Sequence, residues 1–141
     1  MSQQHPVTTA ELIYQVGQLE GKIIQQRLTD IGIRMDHARL LHYVSDVPGT
    51  NQVDLAKYLN VQPATLTNMI KKLEQQNLII RRISPTDSHM KQIFLLPKGE
   101  VAARKINDVF NQLNQIVASV DLKNPEQFQQ LVKLLELKYQ E

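Results

Sequence analysis

The sequence has no cysteine and no tryptophan, only three phenylalanines and four tyrosines, and no long apolar run. Without a thiol, disulfides, zinc–thiolate sites, iron–sulfur clusters and thiol redox sensing are excluded. The scarcity of aromatics argues against single-stranded RNA binding, which relies on stacking platforms. The longest uncharged stretches run about a dozen residues and contain Asn, Gln, Thr or Pro. They are too short and too polar to cross a bilayer, so no membrane partner is expected. Met1–Ala10 is polar and has no apolar core, so a secretory signal is not expected and a cytoplasmic location is. Catalytic machinery is also missing from the sequence. It has no glycine-rich phosphate loop, nucleophile elbow or paired acidic motif, and Ser45 and Ser119 have no recognisable base. An enzyme is not expected, and neither is a cofactor.

What is present suits one globular domain. The chain has 141 residues, of which 42% are hydrophobic and 21% charged, enough to bury a core without covalent staples. The net charge of +2 conceals an uneven distribution. Residues 51–98 carry Lys57, Lys71, Lys72, Arg81, Arg82, Lys91 and Lys98 against Asp54, Glu74 and Asp87, a balance of +4, whereas each flanking segment comes to −1. A basic middle between slightly acidic ends suggests a polyanion-facing module held between two arms.

Periodicity divides the chain into elements. Thr8 or Thr9 can cap a first helix with Leu12, Ile13, Val16, Leu19, Ile23, Ile24 and Leu28 at steps of three and four, and Gly32 stops it. Gly17 and Gly21, four apart, suggest a close helix approach. A second helix is expected from Asp36, as its cap, through Leu40, Leu41 and Val44 to Pro48-Gly49. Asn51 and Asp54 form a variant capping box for a short helix with Val53, Leu55, Ala56 and Leu59 inward. Asn60-Val61 turns the chain, and Pro63 opens a helix whose apolar face is Leu66, Met69, Ile70 and Leu73. Leu78–Ile83 and Lys91–Leu95 read as strands of a hairpin about the turn Ser84–Ser88. Pro97 begins a long helix with Val101, Ile106, Val109, Phe110, Leu113, Ile116, Val117 and Val120 on one face. Asn124-Pro125 separates it from a last helix carrying Phe128, Leu131, Val132, Leu135 and Tyr139.

The expected fold is mainly α with a small β-hairpin wing (α+β). The short helix, turn and helix of 51–74, followed at once by the hairpin, form a winged helix-turn-helix. A helix about 10 Å wide fits the DNA major groove, where its N-terminal residues reach base edges. The expected organisation is a single domain over 1–141, with a winged helix-turn-helix lobe at about 36–97. The segments at about 8–30 and 98–140 are the helical dimerisation region, because their apolar stripes have no intramolecular sheet to cover them and a second copy would.

Over about residues 8–140 the chain resembles the MarR family of transcriptional regulators. The resemblance is carried by Asn51–Ala56 at the opening of the helix-turn-helix and by Val61–Thr67 at the entry to the recognition helix. It continues through Leu73-Glu74 and Asn77–Arg82 into the wing, Ser84–Asp87 at its start, and Lys91, Leu95 and Lys98-Gly99 on its return. It implies a homodimer built on the terminal helices, most often a repressor of pseudo-palindromic double-stranded DNA, relieved by a small aromatic or phenolic ligand. There are departures from the family pattern. His89 stands where the family commonly has a minor-groove Arg, and Ser88 where Arg is frequent, which implies a weaker or pH-dependent wing contact. Leu96 replaces the usual Thr cap of the fifth helix, at a cost of about 1 kcal/mol that Pro97 partly offsets.

Ala64, Thr65, Thr67, Asn68 and Lys71 occupy the polar face of the recognition helix. Asn68 can bond adenine and the Thr methyls can meet thymine, although such a face can also be simply solvated. Lys57, Lys71, Lys72 and Lys91 are phosphate candidates, which position the protein without specifying sequence. His89 completes the expected DNA-binding set, and one of Arg81 and Arg82 is expected to pair or pack structurally. The resemblance further implies a ligand pocket where the first, second and fifth helices meet, for which Tyr14, His37, Leu41, Tyr43 and Phe110 are candidates, core packing being the plainer role for each. His37 and His42, about 140° apart around a helix, make a poor chelating pair, so no metal is assigned. Two alternatives to a ligand-relieved repressor remain: a winged-helix protein-interaction module without DNA binding, and a metal-responsive regulator.

Overall fold

A computed structural model describes residues 6–140; the first five residues of the polar Met1–Ala10 stretch, and Glu141, lie outside them. Six helices and one hairpin follow in the order α1 (Thr9–Ile31), α2 (Met35–Asp46), α3 (Gln52–Leu59), α4 (Pro63–Gln75), β1 (Ile79–Ile83), β2 (Lys91–Leu95), α5 (Pro97–Ala118) and α6 (Pro125–Tyr139). This is the winged helix-turn-helix arrangement, mainly α with a small β wing.

Local chemistry sets most of the boundaries. Thr8 is extended and its Oγ1 accepts from the Glu11 N–H at 3.1 Å, which starts α1. Gly32, at φ +78°, closes α1 in the left-handed conformation that glycine adopts without a Cβ clash. Asn51 accepts from the Asp54 N–H at 2.8 Å, and its Nδ2 donates to the Asp54 carboxylate at 3.1 Å. The capping box thus closes between side chains rather than back onto the Asn51 backbone. Asn60, at φ +54°, ends α3, and Pro63 begins α4.

The core runs from the end of α1 to the root of the wing. Leu28, Leu40, Leu41, Leu55, Leu66, Ile70, Leu73, Ile79, Ile93 and Ile106 are all almost fully buried. β1 and β2 pair antiparallel, with Arg81 opposite Ile93. Thr50, between α2 and α3, adds a single antiparallel bridge to Ile93. The Ile93 N–H donates to the Thr50 carbonyl at 2.8 Å, so the α2–α3 connection is stitched to the wing.

Several sequence expectations are corrected. Helix α2 begins before Asp36, with Arg34 as a cap residue that makes no side-chain capping bond. Asp36 instead lies in the first turn and accepts from the His37 N–H, where its charge suits the helix N-terminus. Val53 points outward with 64% of its surface exposed, whereas Leu55 and Leu59 are buried and Ala56 packs half-buried against the core. Ile83, at the far end of β1, is 65% exposed because the wing projects beyond the core. The apolar residues of α5 do not share one covered face. Ile106 and Val109 are buried, whereas Val101, Ile116 and Val120 are exposed, and Val120 lies beyond the helix end. A Cβ added at Gly17 or Gly21 would meet no neighbouring element within 4 Å, so among the described residues no close approach explains them.

The arms remain largely uncovered. Leu12, Val16 and Leu19 of α1 and Phe128, Val132 and Leu135 of α6 are exposed, and α6 has no buried residue.

Candidate nucleic-acid interface

Helix α4 presents two contrasting sides. Leu66, Met69, Ile70 and Leu73 are buried, while Ala64, Thr65, Asn68, Lys71 and Lys72 are exposed on the opposite side. At 100° per residue, Ala64, Asn68 and Lys71 fall on one outward stripe, which continues to the exposed Gln75. Thr67 is half-buried, and its hydroxyl donates to the Pro63 carbonyl at 3.0 Å. Its hydrogen-bonding group is therefore engaged by the helix, and what it can offer a duplex is its methyl.

Two clefts join α4 and the wing to α3. One of about 410 Å³ lies at the α3–α4 elbow, lined by Val53, Ala56, Val61, Pro63 and Leu66, with Lys57 and Thr67 at its rim. The other, about 560 Å³, lies between the start of α3 and the wing and is lined by Asn51–Asp54 together with Asp87, His89, Met90 and Lys91. The structure thus brings Lys57, the start of α4 and the wing residues His89 and Lys91 around α3. Lys72 lies on the other flank of α4, close enough to His37 for its charge to be felt there.

The wing turn is built by Asp87. Its carboxylate accepts from the His89 N–H at 2.9 Å, and its carbonyl accepts from the Met90 N–H at 3.1 Å. The His89 imidazole is left exposed at the tip. Both wing arginines, rather than one, have structural roles. Arg81 pairs with Glu74 at 2.7 Å, and the Arg82 guanidinium lies over the Phe94 ring at 5.7 Å.

The five pocket candidates diverge. Leu41 is fully buried in the core, and Tyr14 stands 62% exposed on α1. Tyr43 stacks on Tyr58 with ring centroids 4.5 Å apart, and Phe110 meets the His42 ring at 4.8 Å. His37 is half-buried at the start of α2. Burial holds its pKa below the ordinary 6.5, against the pull of Asp36 and with help from Arg34 and Lys72. None of the five lines either cleft described above, and Tyr43 and Phe110 stack on different neighbours.

His42 is engaged on both ring nitrogens. Nδ1 lies 2.7 Å from Asn107 Oδ1, and Nε2 lies 3.5 Å from the Asp46 carboxylate. Asn107 in turn donates to Ser45 Oγ at 3.2 Å, which ties α2 to α5. Among the described residues no three His, Asp or Glu side chains come together as a metal site.

Residues 33–88, which span α2, the helix-turn-helix and the start of the wing, match the model of the MarR family. This lobe is similar to the MarR family over that stretch. The MarR-type fold extends to the arms. Staphylococcus aureus MepR in its DNA-binding conformation superposes with a TM-score of 0.78 at 24% identity, covering 95% of this chain and 98% of that one. The S. aureus MepR–DNA complex gives 0.71 at 23% identity over 96% and 100%. Wild-type apo MarR from E. coli gives 0.70 at 20% identity over 94% and 97%.

Two further exposed amides flank the face of α4: Gln75, which the helical phase places on the outward stripe, and Gln62 at the N-cap. The sequence singles out neither, and glutamine is not among the usual capping residues.

Proposed function

We propose that this protein is a dimeric DNA-binding transcriptional regulator acting in the cytoplasm, a repressor of pseudo-palindromic operators relieved by a small aromatic or phenolic ligand. The observation that carries the DNA-binding reading is the exposed face of α4, where Ala64, Thr65, Asn68 and Lys71 stand free above a fully buried apolar side. Lys57 and the wing residues His89 and Lys91 lie around the adjoining α3, where they can bracket a duplex seated on α4. Lys72 extends the positive surface along the opposite flank. Homodimerisation is supported by the exposed apolar stripes of α1 and α6, which an isologous contact would bury. Repression and ligand relief rest on the family resemblance.

A band shift on double-stranded DNA from the chain's own upstream region tests the DNA-binding reading, and its reversal by salicylate, as a phenolic probe, tests ligand relief. A second reading, a winged-helix module that binds protein instead of DNA, is favoured by the wing tip alone, where Ser88 and His89 replace the arginines common in the family. A shift that resists nonspecific competitor DNA would dismiss it.

A further inference from the structure

We propose that Gln62 is a base-reading side chain of this interface, selecting an adenine at one position of each half-site; this rests on the DNA-binding reading above. Gln62 occupies the N-cap of α4, with extended backbone at φ −68° and ψ 150°, and its side chain makes no capping bond. It is exposed, and among the described residues its amide has no hydrogen-bond partner. A serine, threonine, asparagine or aspartate there would satisfy an orphan N–H of the first turn, and a glutamine does not do so here.

The first turn is completed without it. Pro63 has no N–H to satisfy and presets the helical φ, and the Thr67 hydroxyl bonds back to the Pro63 carbonyl. The Gln62 amide therefore has no structural task within the chain, and it stands at the end of the recognition helix that enters a major groove first. A locally unfavourable residue with a free donor and acceptor is what a functional position looks like. Its carboxamide matches the N6 donor and N7 acceptor of adenine in bidentate geometry. It precedes Asn68 by six residues, roughly 9 Å of helix rise, so the two amides address different base pairs.

The test selects duplexes from a randomised pool with the wild-type protein, then compares wild type, Gln62→Ala and Gln62→Ser on the selected site and on its single-base variants. The expected result is one adenine per half-site that wild type prefers by about 5- to 150-fold and at which both variants discriminate by about one-fold, with the other positions unchanged. Gln62→Ser should also raise the melting temperature, because it supplies the missing cap. A residue that merely held the helix start would show the serine variant with full specificity. Equal weakening on every duplex would make Gln62 a phosphate contact, and unchanged ratios would leave it in solvent; either overturns the proposal while the DNA-binding reading stands. Failure of the wild type to select any duplex overturns both.

Discussion

Gly99 packs directly beneath the carbonyl of Leu78. A Cβ added at Gly99 would lie 1.9 Å from that oxygen and 2.9 Å from its carbon. The same carbonyl accepts the Leu96 N–H at 2.9 Å, so the start of α5 is fastened to the segment between α4 and β1. Gly99→Ala must therefore push backbone against backbone. It is expected to destabilise the protein by about 3 kcal/mol or more, roughly a 10 °C fall in melting temperature. Gly17→Ala meets no such obstacle and should stabilise α1 by about 0.5–1 kcal/mol. Calorimetry of the two variants checks both signs.

Stability should fall on mild acidification, in part through His37. Its pKa is below the ordinary 6.5 in the folded chain, chiefly because it is buried. Between the folded value and 6.5 the unfolded chain binds more protons, so stability rises with pH across that window. The contribution is complete above pH 6.5 and is lost as pH falls through the folded value. Denaturant titrations at pH 7.5 and 5 should show wild type losing more stability than His37→Gln. An equal loss in both would assign the effect to other groups.

The arms should hold two copies together. Leu135 is 56% exposed in the middle of α6, on the same stripe as Phe128 and Val132. Leu135→Glu should turn a dimer into a monomer by light scattering at micromolar concentration, and DNA binding should go with it. A wild type that scatters as a monomer would refute the expectation outright.

Binding should depend steeply on salt. If Lys57, Lys71, Lys72 and Lys91 each meet a phosphate in both copies, up to about eight counterions are released, and the log–log slope of affinity against salt should be near −7. Lys71→Ala should flatten that slope and weaken all duplexes alike. Asn68→Ala should instead relax one base position per half-site, by about 1–3 kcal/mol. Identical behaviour of the two variants on a panel of operator mutants would erase the distinction between positioning and reading.

The wing tip should be improvable. His89 is exposed, with its backbone already fixed by Asp87. An arginine placed there brings a permanent charge and a planar fork to the most negative part of a duplex. His89→Arg is expected to tighten binding at pH 7.5, measured by fluorescence anisotropy. Equal affinities for wild type, His89→Ala and His89→Arg would mean that the wing does not reach the groove.

Most of the architecture is legible in the spacing of Leu, Ile and Val, and β2 runs from Lys91 to Leu95 as its composition suggests. The departures have a common physical origin. Periodicity marks which residues are apolar but not what covers them, so Val53, Val101 and Ile116 read as inward although the described residues leave much of each exposed. The Thr50–Ile93 bridge is a single long-range pairing and leaves no run of alternating residues to detect. Of the candidate interface, the polar side of α4 follows from its buried side by helical phase. The partners of Tyr43, Phe110, Arg81 and Arg82 depend on which helices and strands come to lie side by side, and no local pattern carries that.

The Glu74–Arg81 ion pair, at 2.7 Å, bolts the last turn of α4 to the wing strand that follows it. On the DNA-binding reading proposed above, helix and wing would then meet a duplex as coupled elements, and accommodation between protein and operator would fall to a hinge between two copies. Inserting or deleting a base pair between half-sites would test that hinge alone, and the tolerance of the protein to such spacing changes would report how far its arms can swing.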